Sequence, residues 1–224
     1  MALDKGTGET VWTSKGVSDE PGYSSPIVFE FGGVRQVVTL TSKGLVAVRA
    51  DTGEFLWRYA PRSGNLCVPT PIYSDGGVFT AYYHFPGGKV GLAARDAQVT
   101  ATEAWRTDHM QNYHGGVVLV NGYLYGNHKK GWSCIEFQTG KLMYSATGIG
   151  EGSLTYADGM LYCLNERGTV ALVKATPKAY TLVSQFRIPE GGRGPTWAHP
   201  VVCGGRLYLR HGDRLYAFDI KTPG

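Results

Sequence analysis

One motif returns along the whole chain: a glycine turn, a short β-prone run and a large aromatic. It reads GTGETVW at residues 6–12, DTGEFLW at 51–57 and TGKLMY at 139–144. The aromatics that close successive copies are Trp12, Trp57, Trp105, Tyr144 and Phe186, spaced by 45, 48, 39 and 42 residues. A second marker keeps step. Turns of the form GG, NG or DG, each beside an apolar run, end at Gly33, Gly77, Gly122, Gly159 and Gly205, spaced by 44, 45, 37 and 46. Two markers at one period of about 43 residues define a repeat architecture. A unit of this size cannot bury its apolar face alone and must stack on its neighbours.

Each repeat divides into four β runs. In the first full copy they are SSPIVFEF, RQVVTLTS, GLVAVRA and EFLWRY. Alternation and β-branched residues mark strands, and two-residue glycine turns mark hairpins. Glycine makes up 32 of the 224 residues, about twice its usual share, and is scattered between apolar runs as tight turns require. Helical periodicity of useful length is absent from the sequence. Four antiparallel strands per repeat predict an all-β propeller, with the recurring aromatics packed between blades. The chain reads as a single propeller domain over residues 1–224. Its blades fall at about 1–13 (an outer strand alone), 23–60, 67–108, 112–147, 151–189 and 196–224. About five blades are therefore present. Either the leading outer strand completes the last blade in a closed five-bladed ring, or the chain is an arc of a larger propeller. The repetition of the ALDKGTG segment in AFDIKTPG favours the arc.

Charge and composition exclude several classes. The net charge is +4, with no block of like charges, basic helix or zinc-ligand spacing, so nucleic acid is not an expected partner. No run of 18 apolar residues exists to cross a membrane as a helix. The opening MALDKGTGET has neither the basic region nor the apolar core of a signal peptide, which leaves the compartment open. Cys67, Cys134, Cys163 and Cys203 are scattered, and buried free thiols are the simplest reading, with disulfides open.

The stretches AVRADTGEFLW and LYAFDIKTPG resemble the LxAxDxxTGxxxW motif of the pyrroloquinoline-quinone (PQQ)-like repeat. GYSSPIVFEFGGVRQVVTLTSKGLVAVRADTGEFLWRYA, NYHGGVVLVNGYLYG and HPVVCGGRLYLR resemble planctomycete-type PQQ-binding-like β-propeller proteins, and the resemblance runs along essentially the whole chain. It implies an eight-bladed propeller in full-length members, of which this chain would be a C-terminal portion, and a bacterial, exported or periplasmic setting. Related propellers include quinoprotein alcohol dehydrogenases. Those use adjacent cysteines, a stacking tryptophan, PQQ and a calcium ion held by Glu, Asn and Asp; adjacent cysteines are missing here.

Candidate site residues follow from blade topology. The entry into each first strand and the turn between second and third strands share one face. Aligned entries place Tyr113, His114, Trp197 and His199 at a channel mouth as an inner shell, with Arg167, Arg193 and Arg210 supplying charge. The expectation is a mouth for a protein or a small polar or anionic ligand, since a guanidinium fork suits carboxylate or phosphate. Asp4, Asp51 and Asp219 read as turn caps rather than acids. No catalytic residue and no metal site is assigned. The leading function is therefore non-catalytic: a binding or scaffolding propeller of the bacterial envelope, open to self-association through an unpaired blade edge. The alternatives are a PQQ- and calcium-dependent oxidoreductase, and a glycan-binding propeller using Tyr113, Trp132 and Trp197.

Overall fold

The computed structural model describes residues 1–60 and 68–221. Cys67, the expected start of one blade at residue 67, and the expected last blade's end at 224 lie outside them. The chain divides into two compact units, Met1–Asp108 and His109–Gly224.

The first unit opens with a ribbon of β1 (Ala2–Leu3) and β2 (Thr10–Trp12). Two four-stranded antiparallel blades follow. One is β3 (Ile27–Phe31), β4 (Val34–Thr41), β5 (Gly44–Arg49) and β6 (Phe55–Tyr59). The other is β7 (Ile72–Ser74), β8 (Gly77–Thr80), β9 (Gly87–Arg95) and β10 (Gln98–Thr107). The second unit holds β11 (Val117–Val120), β12 (Tyr123–His128), β13 (Gly131–Glu136) and β14 (Leu142–Ala146) in one blade. Its next blade is β15 (Gly152–Ala157), β16 (Met160–Asn165), β17 (Thr169–Lys174) and β18 (Leu182–Arg187). A three-stranded sheet of β19 (Val201–Cys203), β20 (Arg206–His211) and β21 (Arg214–Asp219) completes it. The fold is thus all-β, with each sheet a meander in chain order, as propeller blades are.

The turns explain why these residues choose strands. Between first and second strands both turn residues have positive φ in all five sheets, at Gly32–Gly33, Asp75–Gly76, Asn121–Gly122, Asp158–Gly159 and Gly204–Gly205. That is the type I′ hairpin, whose twist matches the strands it joins. In the run Asp75-Gly76-Gly77 the turn glycine is Gly76, and Gly77 already belongs to β8, so the second marker shifts by one residue. The third-to-fourth turn also recurs. The Gly8, Gly53 and Gly140 amides donate to the carbonyls of Asp4, Arg49 and Glu136 at 2.8–2.9 Å, each glycine at a φ of 73–76°. Asp4 Oδ1 accepts from the Gly6 and Thr7 amides, and Asp219 Oδ1 from Lys221, the capping role their positions suggest.

Every pairing of third with fourth strand carries a register shift: at Ala2/Leu3, Ala47/Val48, Glu103/Trp105, Cys134/Ile135 and Leu172/Val173. A bulge there adds twist and turns the outer strand toward the neighbouring blade. The cores lie between blades. Trp57, Leu45 and Val38 of one sheet pack with Val78, Tyr82 and Val90 of the next. Trp132 and Cys134 meet Leu154, Cys163 and Ala171, and Leu164 and Val170 meet Leu207 and Leu209. The repeated aromatics differ in depth: Trp57 is buried, Trp12, Trp105 and Tyr144 are half-buried, and Phe186 is exposed while edging onto Phe218 of the adjacent sheet, with centroids 5.0 Å apart.

The segment before β3 is strapped to its blade by Asp19. Its side chain is 3% exposed, accepts hydrogen bonds from Thr41 Oγ1 (2.7 Å) and Arg58 Nη1, and lies 3.4 Å from Lys43 Nζ. Burial alone would raise its carboxyl pKa; the Arg58 and Thr41 donors outweigh burial and hold it below the ordinary 3.8. A depressed carboxylate stabilises the fold above its unfolded-chain value, and that contribution fades as pH falls through the folded value. Asp19→Asn is therefore expected to cost about 1.5–3 kcal/mol at neutral pH. Urea unfolding should show the wild type losing stability more steeply than the variant below about pH 4. Parallel pH profiles would remove Asp19 from the account.

Candidate functional site

The second unit gathers three blade entries around a buried polar stitch. Asn112, fully buried, donates from Nδ2 to the Gly116 carbonyl (2.8 Å) and to Asn127 Oδ1 (2.9 Å). Asn127 Nδ2 donates to the Gly152 carbonyl, the Leu154 amide to the Gly115 carbonyl (3.3 Å), and Ser153 Oγ to the Ala198 carbonyl (3.1 Å). The backbones approach this closely because glycine sits at the crossings. A Cβ on Gly115 would overlap the Gly152 carbonyl oxygen, and one on Gly116 would press on the His199 ring.

On this stitch stand the four residues expected at the mouth. His114 precedes β11, and Trp197 and His199 precede β19. The His114 and Trp197 rings stack with centroids 5.2 Å apart and planes 29° apart. Tyr113 meets both edge-on, at 5.3 Å from His114 and 5.5 Å from Trp197. His199 Nε2–H donates to the His114 carbonyl at 2.9 Å, which fixes its proton on that nitrogen because a carbonyl only accepts. Trp197 is 44% exposed and offers an open indole face.

Glu166, in the β16–β17 turn, joins this group. Its Oε1 accepts the Trp197 indole N–H at 2.9 Å and lies 3.7 Å from His114 Nδ1. The His114 side chain is 7% exposed, yet neither ring nitrogen has a hydrogen-bond partner. Burial pulls its pKa below the ordinary histidine value; Glu166 opposes that shift and His199 adds to it. Beside Glu166 opens a cavity of about 330 Å³ lined by Ile149, Gly150, Glu151, Asn165, Glu166 and Arg167. Burial, followed by the charge of Glu166, raises the pKa of Glu151 there, with Lys129 opposing.

The arginines are placed differently. Arg167 lies on the β16–β17 turn and also lines a second cleft of about 420 Å³, together with Arg187 and His211. Arg193 and Arg210 belong to the neighbouring junction: His211 Nε2–H donates to the Gly194 carbonyl (2.8 Å), and Arg210 Nε to the Gly212 carbonyl (2.9 Å). The structure thus brings Tyr113, His114, Trp197 and His199 together, with Glu166 against Trp197 and His114, and sets Arg193 and Arg210 at the β20–β21 turn. Trp132, offered above as a glycan platform, is 3% exposed inside the inter-blade core and presents no stacking face.

Two other chemistries fail on geometry. His128 Nε2 lies 2.9 Å from Ser145 Oγ, a nucleophile-and-base spacing. The Lys130 amide donates to His128 Nδ1 (3.2 Å), so the proton sits on Nε2 and the imidazole donates to the serine instead of drawing its proton. The quinoprotein arrangement does not fit either. Cys134 and Cys163 are fully buried on central strands of two blades, Cys203 lies in a third, and burial pushes the Cys134 thiol up to about 12. Among the described residues no cluster of three or more His, Cys, Asp or Glu side chains has metal-holding geometry.

Comparison with known proteins agrees with the fold. The family model described as "Outer membrane protein assembly factor BamB" matches residues 1–146. A search of curated proteins returns no significant match. The chain is structurally similar to BamB from Moraxella catarrhalis, with a TM-score of 0.67, 17% identity and 96% of this chain covered. It is also similar to the computationally designed Ika8 protein, at 0.66, 11% and 96%. A third likeness is to the quinohemoprotein alcohol dehydrogenase ADHIIG from Pseudomonas putida HK5, at 0.63, 16% and 93%. The chain spans 64%, 63% and 42% of those three chains, less than two-thirds of each.

Proposed function

The chain belongs to the family of the outer membrane protein assembly factor BamB, a family of PQQ-like repeat propellers, and from that premise we propose that it is a non-catalytic binding propeller of the bacterial envelope. The carrying observation is the family match across residues 1–146. The partner is a polypeptide in outer-membrane protein assembly, and the ledge of Tyr113, His114, Trp197 and His199 is a contact surface for it. Two features support that use. Trp197 is an exposed aromatic on a rigid polar base, the kind of anchor that dominates protein interfaces. The hydrogen atoms on His199 and Trp197 are already committed to the His114 carbonyl and Glu166, which suits a fixed surface better than a proton-transfer centre.

The test has two arms. Titration with PQQ, with and without Ca²⁺, followed by tryptophan fluorescence, is expected to give no saturable quenching. Calcium-dependent saturation at micromolar affinity or tighter, about −8 kcal/mol, would overturn the non-catalytic reading. In the second arm the chain is used to capture partners from detergent-solubilised bacterial envelopes. Enrichment of outer-membrane proteins or their assembly machinery is expected, with a loss on Trp197→Ala. No enrichment of either would sink the assembly role.

A further inference from the structure

We propose that the cavity between Glu151 and Glu166 is a receptor for a basic side chain, the ammonium or guanidinium of a partner polypeptide. The inference rests on the binding role proposed above and names the chemical group that the mouth takes.

The atoms left unsatisfied there share one chemical need. Glu151 Oε1 is buried and accepts no hydrogen bond. Next to the cavity wall, His114, nine-tenths buried, has neither nitrogen bonded, and its 3.7 Å separation from Glu166 Oε1 is too long for a hydrogen bond. An ionised carboxylate oxygen is acceptor-only, and a neutral imidazole presents one acceptor nitrogen beside one N–H donor, so acceptors outnumber donors among these unmet atoms. Orphaned acceptors are met by a group rich in N–H donors, and an ammonium carries three while a guanidinium carries five. An anion would add acceptors where acceptors are already unmet.

Charge points the same way. Glu151 and Glu166 line one cavity, and the Glu151 carboxyl is raised first by burial and then by the charge of Glu166, with Lys129 opposing. The internal cation on the wall, Arg167, is an exposed side chain that also borders the second cleft. An entering cation would offset the repulsion between the carboxylates and supply the missing donors together. Aromatic surface lies next to this wall: Trp197 donates to Glu166 and Tyr113 packs edge-on against Trp197, and aromatic faces attract ammonium and guanidinium groups through the ring quadrupole. The volume of about 330 Å³ takes a lysine or arginine side chain but not a folded domain.

Two electrostatic environments adjoin at this wall. The second cleft sets Arg167 and Arg187 against Glu166 and Glu190 and is mixed in charge, while the adjoining cavity sets two carboxylates against Arg167 alone; Glu166 and Arg167 form the wall they share.

The probe is an acetylated, amidated peptide of alternating glycine and lysine, with a glycine–glutamate twin as the control, titrated calorimetrically at low salt. The net charge of +4 works against non-specific capture of the lysine peptide, so saturable binding would report a local site. Expected results are saturable binding of the lysine peptide, about ten-fold weakening in Glu151→Gln/Glu166→Gln, and tightening in Arg167→Gln. The glutamines keep side-chain size and still accept the Trp197 indole hydrogen, and near-ultraviolet circular dichroism checks that the rings stay packed. Unchanged affinity in the double variant would overturn the proposal, as would failure of the lysine peptide to bind. Tighter binding of the glutamate twin, lost on Trp197→Ala, would overturn the cation inference while leaving the contact surface standing. Envelope capture decides the assembly role separately.

Discussion

Trp57→Ala should lower the stability of the first unit by about 3–5 kcal/mol, read as a fall in the urea midpoint by far-ultraviolet circular dichroism. Trp57 is 4% exposed and packs with Leu45, Val78, Tyr82 and Val90 at the seam of two blades. Alanine there leaves a void that two rigid sheets cannot close. Its indole N–H also donates to Gln36 Oε1 at 2.7 Å, and Gln36 is fully buried on the central strand β4. The variant thus strands a polar atom as well as opening a cavity. Trp57→Phe separates these effects: it retains most of the ring volume and loses the donor, so a loss of about 1–3 kcal/mol is expected. Wild-type stability for Trp57→Ala would show that this aromatic does not hold the seam.

Gly115→Ala should be similarly severe in the second unit, for the opposite reason. The added methyl would strike the Gly152 main-chain carbonyl oxygen and crowd the buried side-chain amide of Asn127, the two partners of one hydrogen bond in the polar stitch. Overpacking of this kind costs about 1–3 kcal/mol, and more where main chain must move. The effect should reach the mouth, because Gly115 follows His114 directly and the His114 carbonyl holds His199. Loss of the near-ultraviolet signal of the Trp197 cluster alongside reduced thermal stability is expected. Gly122→Ala is the control: open space surrounds its Cβ, and the strain comes from its φ of 83° alone. Equal effects on the ring cluster from both variants would mean that the close approach at Gly115 is unimportant.

Much of the fold was legible because its demands fall on residues with few substitutes. Positive φ at turn positions selects Gly, Asn or Asp, so the hairpins announce themselves, as at Asn121–Gly122 and Asp158–Gly159. The recurring outer-strand aromatic follows from the need to seal a seam. Other features leave little trace. The bulges between third and fourth strands are backbone events that alternating residues conceal. The hairpin joining β9 to β10 turns at Asp96–Ala97, both with positive φ, and alanine gives no warning of that conformation. At the site, alignment of blade entries brought Tyr113, His114, Trp197 and His199 together, since equivalent repeat positions occupy equivalent places. Glu166 is readable on the same face, as an acidic residue of a second-to-third-strand turn, but its contact with Trp197 and the part of Glu151, one residue before the entry at Gly152, depend on how the loops lie against one another. Asn127 was the available clue: an amide inside the run YLYGNH must find buried partners, and it finds Gly152 and Asn112.

The seam at Trp12 has a consequence for how such chains can change. Its indole N–H donates to the Ala50 carbonyl at 3.0 Å, its ring lies over Gly53, and Ser14 Oγ donates to the Gly53 carbonyl at 2.7 Å. The partners on the receiving side are two main-chain carbonyls and a residue without a side chain. Little about that surface is particular to one copy, so a repeat that carries the same glycine turn presents the same docking face to any aromatic that follows. Duplication or exchange of a repeat by recombination would then preserve the joint without redesigning either half, and copy number becomes a quantity that selection can adjust in whole steps.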